Sequence, residues 1–179
     1  MIPMETAPVN PFPGLRPFDF EQHHLFFGRQ EQVDQLLEVL EAKRFLVVLG
    51  PSGSGKSSLV RAGLVPCLYQ GRLAAAGSTW QRVIFTPGKR VFDSLGAALK
   101  DAGVGNGDVE GLRAGTSGIA DLVKAGAGTP NLLLVVDQFE DLFRRQGKAE
   151  ADAAEAARFV DALLTAMRQR EAPIYVVLT

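Results

Sequence analysis

Gly50-Pro51-Ser52-Gly53-Ser54-Gly55-Lys56-Ser57 sets three glycines around two small polar residues and ends on a lysine and a hydroxyl. Glycines at that spacing let successive backbone N–H groups turn inward as a concave nest for anionic oxygens. Lys56 onward reads as a helix to about Tyr69. Its first amides and positive dipole end would join the nest. Lys56 would reach the β- and γ-phosphates and the Ser57 hydroxyl would ligate Mg²⁺. Gly50 through Ser58 are therefore the residues expected to bind a nucleotide triphosphate. A flexible glycine-serine turn would have the same composition. This one directly follows an apolar run, Phe45 to Leu49, and opens a helix, which is the context a phosphate loop requires.

The other half of such a site is an acid at the tip of a second buried strand. Leu132-Leu133-Leu134-Val135-Val136-Asp137 supplies it about eighty residues downstream, with Asp137 placed to help hold the Mg²⁺ shell. The plain alternative is an aspartate that caps the strand or its turn. Gln138, Phe139, Glu140 and Asp141 follow. Hydrolysis needs a group that orients and polarises water. Glu140 is the first candidate for that catalytic role and Asp141 the second, with Lys56 stabilising charge. A continuing strand would point Glu140 away from Asp137, whereas a turn beginning at Gln138 would bring it back. A solvated carboxylate at a helix start is the alternative for Glu140.

The elements that would position these groups alternate. Val33, Leu36, Leu37 and Leu40 recur at helical spacing over Gln30 to Ala42. Phe45 to Leu49 is expected to be a strand covered on both faces. Arg82 to Thr86 is a second strand, stopped by Pro87-Gly88, and Val91, Leu95 and Leu99 mark the next helix. The glycine-crowded 102–129 stretch reads as a mobile surface connection, with one short helical candidate at Ile119 to Lys124 and a lid as the functional alternative. Past Asp137 a long helix should bury Ala156, Phe159, Val160, Leu163, Leu164 and Met167, and Pro173 ends it. Ile174 to Leu178 is the fourth strand. The fold class is thus α/β, a three-layer α/β/α arrangement on a mostly parallel sheet. A proline-rich arm over 1–28 should pack on a core of 29–179. Because the chain stops at a strand tip, the core is expected to be truncated after its fourth strand.

Nineteen basic and twenty acidic side chains nearly cancel, which gives no nucleic-acid footprint and no polybasic membrane surface. Cys67 is the single cysteine, so no intrachain disulfide or thiolate zinc cluster can form, in keeping with a cytoplasmic location. No apolar run approaches the ~20 residues of a membrane span. His23-His24 reads as a surface or packing pair rather than a metal site. Trp80 reads as core or its edge, and Arg144-Arg145 as a solvated helix face with an arginine finger as the alternative.

These motifs together resemble the STAND class of P-loop NTPases, and within it the first of the novel STAND families. The likeness is carried by Asn10-Pro-Phe-Pro-Gly-Leu-Arg-Pro-Phe18, Leu25-Phe-Phe-Gly-Arg29 and Gly50 to Leu64. It continues through Phe85-Thr-Pro-Gly88, Val136-Asp-Gln-Phe-Glu-Asp-Leu-Phe143 and Val176-Val-Leu-Thr179. The resemblance implies that Phe27, Gly28 and Arg29 lie on the adenine side of the nucleotide; for Phe26 and Phe27 a core position is the alternative. The family's glutamate after that arginine is Gln30 here, followed by Glu31. It also implies ATP and Mg²⁺ as cofactors, a switch role, self-association, and sensor and effector domains elsewhere in a longer, bacterial signalling protein. The family's γ-phosphate-sensing arginine follows the Val-Val-Leu-Thr strand, so a molecule without it is expected to hydrolyse slowly or not at all. No guanine-reading Asn-Lys-x-Asp occurs, which favours ATP over GTP. Two other classes share the loop. A small-molecule kinase would need an arginine-rich lid, for which 102–129 offers only Arg113. A non-hydrolysing interaction module would use bound ATP only to fix its shape.

Overall fold

The computed structural model describes residues 14, 16–105, 109–114, 118–122, 130–144, 150–169 and 172–179. The proline-rich stretch 1–13, Val123 and Lys124 of the candidate short helix, and Arg145 lie outside them. A 3₁₀ turn, Phe20–Leu25, precedes helix α1 (Gln30–Lys43) and strand β1 (Phe45–Val47). The helix after the glycine loop has three parts: α2 (Lys56–Ser58), a wider π-helical stretch (Leu59–Leu64) and α3 (Val65–Tyr69). Then come β2 (Trp80–Phe85), α4 (Val91–Asp101), α5 (Glu110–Ala114), α6 (Ile119–Leu122), β3 (Asn131–Val136), α7 (Asp141–Arg144), α8 (Glu150–Arg168) and β4 (Ile174–Leu178).

All strand pairs are parallel, in the order β1-β4-β3-β2. Strand residues alternate between two apolar layers, as the period of two demands. Leu132, Leu134, Val136, Val176 and Leu178 face α4 and α8, together with Phe92 and Phe159. Leu133, Val135, Tyr175 and Val177 face the other layer, with Leu37 and Leu40 of α1 and Val60 and Leu64 of the loop helix. The expected α/β sheet with helices on both faces is therefore present.

Three expectations need correction. β1 is shorter than the apolar run that encodes it, and Leu49 is 86% exposed. β1 sits at the sheet edge beside β4 alone; Leu46 and the following Val48 are buried on one face, while on the other Phe45 is partly buried and Val47 is exposed. On α8, Leu164 points to solvent; the buried stripe is Ala156, Phe159, Leu163 and Ala166, and one residue of rotation carries Leu164 off it. Finally, the described parts of 102–129 are not a plain surface loop. Val104, Val109, Leu112, Ile119 and Ala120 are buried in the α4–α8 layer, because α5 and α6 pack against α8.

The wider helical turn has a local cause. Pro66 has no N–H and its ring would collide with the carbonyl four residues back in a regular α-helix. Val65 N–H instead reaches Val60 O, five residues back. Gly63 on that stretch packs closely against α1. An added Cβ would lie 2.7 Å from Val33 Cγ2 and 3.2 Å from Phe26 Cε1. Overpacking costs about 1–3 kcal/mol and the helix gain of alanine returns about 1 kcal/mol. Gly63→Ala should therefore lower the urea midpoint by the equivalent of up to about 2 kcal/mol. Val33→Ala in the same chain should recover part of that loss; an unchanged midpoint in the single variant would mean that α1 yields freely.

Candidate functional site

The glycine loop spans the gap between the end of β1 and the first turn of its helix. Ser54 N–H donates to Pro51 O at 3.2 Å, which tightens the bend, and Leu59 N–H donates to Gly55 O at 2.8 Å, the helix's first bond. Gly55 stands at φ +85° before Lys56, a left-handed conformation that a side chain would strain. Lys56 Nζ arches back over the loop and donates to Gly50 O at 3.0 Å and Pro51 O at 3.3 Å. From the start of α1, Arg29 donates to Ser54 O at 3.2 Å.

Asp137 comes to this loop through the sheet order. β4 lies between β1 and β3, and the ladder runs one residue past β4, with Thr179 N–H donating to Val136 O at 3.1 Å. Asp137 is only 5% exposed. Its Oδ1 accepts from Ser57 Oγ at 2.7 Å and from Thr179 Oγ1 at 2.6 Å. Its Oδ2 accepts from the Arg61 guanidinium at 2.9 Å. Burial works against the charge, but the Thr179 and Ser57 hydroxyls and the Arg61 cation outweigh it and hold the carboxyl below its usual range. The aspartate is thus kept ionised beside the hydroxyl of the loop helix.

After Asp137 the chain turns, as Glu140 requires if it is to face the site. Gln138 takes φ +58°, its N–H donates to Thr179 Oγ1 at 3.3 Å, and Phe139 N–H donates to Thr179 O at 2.8 Å. Glu140 lines a cleft of about 680 Å³ together with Ser52, Gly53, Gly55, Lys56, Ser57, Ser58, Asp137 and Thr179. Asp141 does not; it lines a separate small cavity with Lys89 and Glu155. Ser58 also accepts the Phe18 amide at 3.1 Å, so its hydroxyl ties down the N-terminal segment. Of the three adenine-side candidates, Arg29 is hydrogen-bonded to the loop. Phe27 is 74% exposed and is not core, whereas Phe26 packs on the α1 layer. Gly28 has no neighbour near its absent Cβ.

Three residues at the site were not singled out from the sequence. Arg61 follows Ser57 by four residues and so shares its helix face, a signal the sequence did contain. Thr179 reaches Asp137 only because β4 is inserted between β1 and β3, which no local pattern encodes. Arg16 lines the cleft from the N-terminal segment.

A parallel sheet that delivers a glycine loop and a strand-end carboxylate to the same edge defines the class: a P-loop NTPase fold. The model of the nSTAND1 family, Novel STAND NTPase 1, matches residues 11–179, and the chain belongs to that family. No curated protein and no solved structure matches the chain. It is therefore a STAND-type NTPase domain. Among the described residues, no helix is long and apolar enough to cross a membrane.

Proposed function

We propose that this domain binds ATP with Mg²⁺ in the cleft beneath the N-terminal segment, hydrolyses it slowly, and uses the bound state as a switch within a larger cytoplasmic signalling protein. The observation that carries this reading is the direct 2.7 Å bond between the Ser57 hydroxyl and Asp137, beside Lys56. These are hard oxygen donors, the kind that hold Mg²⁺ through one carboxylate with waters and phosphate oxygens completing the shell. When bound, Mg²⁺ would neutralise charge on the β and γ oxygens.

The chain's own residues divide the remaining work. Loop amides from Ser52 to Ser58 cradle the phosphates, and Lys56 exchanges its two carbonyl partners for phosphate oxygens. Glu140, exposed on the turn, accepts the proton of the attacking water. Phe27, Gly28 and Arg29 remain the proposed base side, with Arg29 the one in contact with the loop. A kinase reading is weakened by Arg113, the arginine a lid would need, because it is paired with Asp93 and Glu110 of its own domain.

Glu140→Gln should leave Mg·ATP affinity unchanged and lower the single-turnover hydrolysis rate by about 10²–10⁴. A rate equal to that of the parent would remove Glu140 from the chemistry and favour a domain that uses ATP only to fix its shape. Release of free phosphate in single-turnover assays of the full-length protein tests the switch itself; fast, unregulated steady turnover would count against it. Self-association and sensor and effector domains belong to the same proposal, and ATP-dependent sedimentation of the full-length protein tests the first of these.

A further inference from the structure

Arg61 holds the one carboxylate at the heart of the site, yet it has a second anion within reach. Its guanidinium donates to Asp137 Oδ2 at 2.9 Å and stands 3.7 Å from Asp19 Oδ2 on the N-terminal segment. Its Nε is buried and has no hydrogen-bond partner, so the present pose does not exhaust its donors. Asp19 is half exposed and also accepts the Phe20 amide at 2.9 Å, which caps the 3₁₀ turn Phe20–Leu25. The same segment is anchored one residue earlier, where the Phe18 amide meets Ser58 on the loop helix. Arg61 is thus the joint between the strand-end carboxylate and the N-terminal segment that lines the cleft.

We propose that Arg61 is the positioning residue of Asp137, and that it exchanges Asp137 for Asp19 when a divalent cation enters the site. The inference rests on the nucleotide-site reading above. The driving force is electrostatic. Without a cation, Arg61 neutralises Asp137 and fixes its outer oxygen. A divalent ion drawn to Asp137 sets a second positive charge against the guanidinium, and like charges a few ångströms apart repel strongly in a partly buried site. Asp19 is the other carboxylate paired with Arg61. The shift tightens the segment around residues 16–26 against the loop helix, so cation occupancy is read out at the N-terminal side of the cleft. A nucleotide bound without its metal brings no such charge to Asp137 and leaves Arg61 in place.

Asp19→Asn is the test, because asparagine caps a helix start as well as aspartate does and only the charge is lost. Amide hydrogen exchange of the peptide covering 16–26 is followed in the full chain with a non-hydrolysable ATP analogue, once with Mg²⁺ and once with chelator. Binding of the analogue is titrated in the same samples. In the parent, Mg²⁺ should slow exchange about two- to fivefold beyond the chelated state, the scale of one partly exposed ion pair. Asp19→Asn should bind the analogue and lose that extra protection. Arg61→Lys, which keeps the charge without the planar fork, should retain part of it. Saturable binding with no Mg²⁺-dependent protection in the parent, or equal protection in Asp19→Asn, overturns the exchange while leaving the nucleotide site standing. Absence of any binding overturns both.

Discussion

Lys56→Ala weakens Mg·ATP binding by about a hundredfold, roughly 3 kcal/mol, as expected for loss of the charge-assisted bonds an ammonium makes to phosphate. The variant should fold normally. In the free protein Lys56 donates to the carbonyls of Gly50 and Pro51, both on an exposed loop that can be solvated in its absence. Lys56→Arg should not restore affinity, because the guanidinium is a planar fork rather than a compact point charge and the loop turns tightly around the lysine stem. Isothermal titration checks the binding and thermal unfolding checks the fold. Parent-like affinity in Lys56→Ala would mean that the loop does not hold the polyphosphate, and the functional reading would fall with it.

What could be read from the chain and what could not divides along a physical line. The glycine loop between strand and helix, the strand that leads into Asp137 and the other three strands were legible because each depends on local order: glycine spacing, an apolar run, a punctuating proline. The pairing of Ser57 with Asp137 was legible only as chemistry, since each residue is recognisable by its motif. Thr179 was not legible as a partner, because its place beside Asp137 follows from β4 lying between β1 and β3. Strand order is a property of the whole sheet. The edge position of β1 was hidden for the same reason, and Leu49 accordingly reads as core in the sequence and is exposed in the structure. In 102–129 the glycines masked a sparse but real set of apolar anchors, Val104, Val109, Leu112 and Ile119, whose spacing is too irregular for any period to reveal. Asp141 was put forward because it adjoins Glu140, but one step along a new helix turns it into a different cavity.

Asp137→Asn should separate the site's electrostatics from its architecture. Asparagine keeps an oxygen for the Ser57 and Thr179 hydroxyls, so the junction between loop helix and strands persists, while the charge that Arg61 and a divalent ion both seek is gone. Mg²⁺-dependent hydrolysis should fall by about 10²–10³, the scale of losing one fixed electrostatic contact to the reacting group. Stability of the metal-free protein gives an independent reading. The folded carboxyl lies below its ordinary value of 3.8 because the hydroxyl bonds and Arg61 outweigh its burial. A group depressed on folding contributes stability in full above its unfolded value and loses it as pH falls through the folded one. In chelator at neutral pH the parent should therefore be more stable than Asp137→Asn by about 1–3 kcal/mol, the range for hydrogen bonds to a charged group. The two urea midpoints should converge as pH drops below 3.8, where the parent's own carboxylate takes up its proton. A gap that stayed constant as pH fell well below 3.8 would mean that Asp137 is not held ionised by its neighbours. The charge that the loop helix and β4 converge upon would then have to come from elsewhere in the cleft.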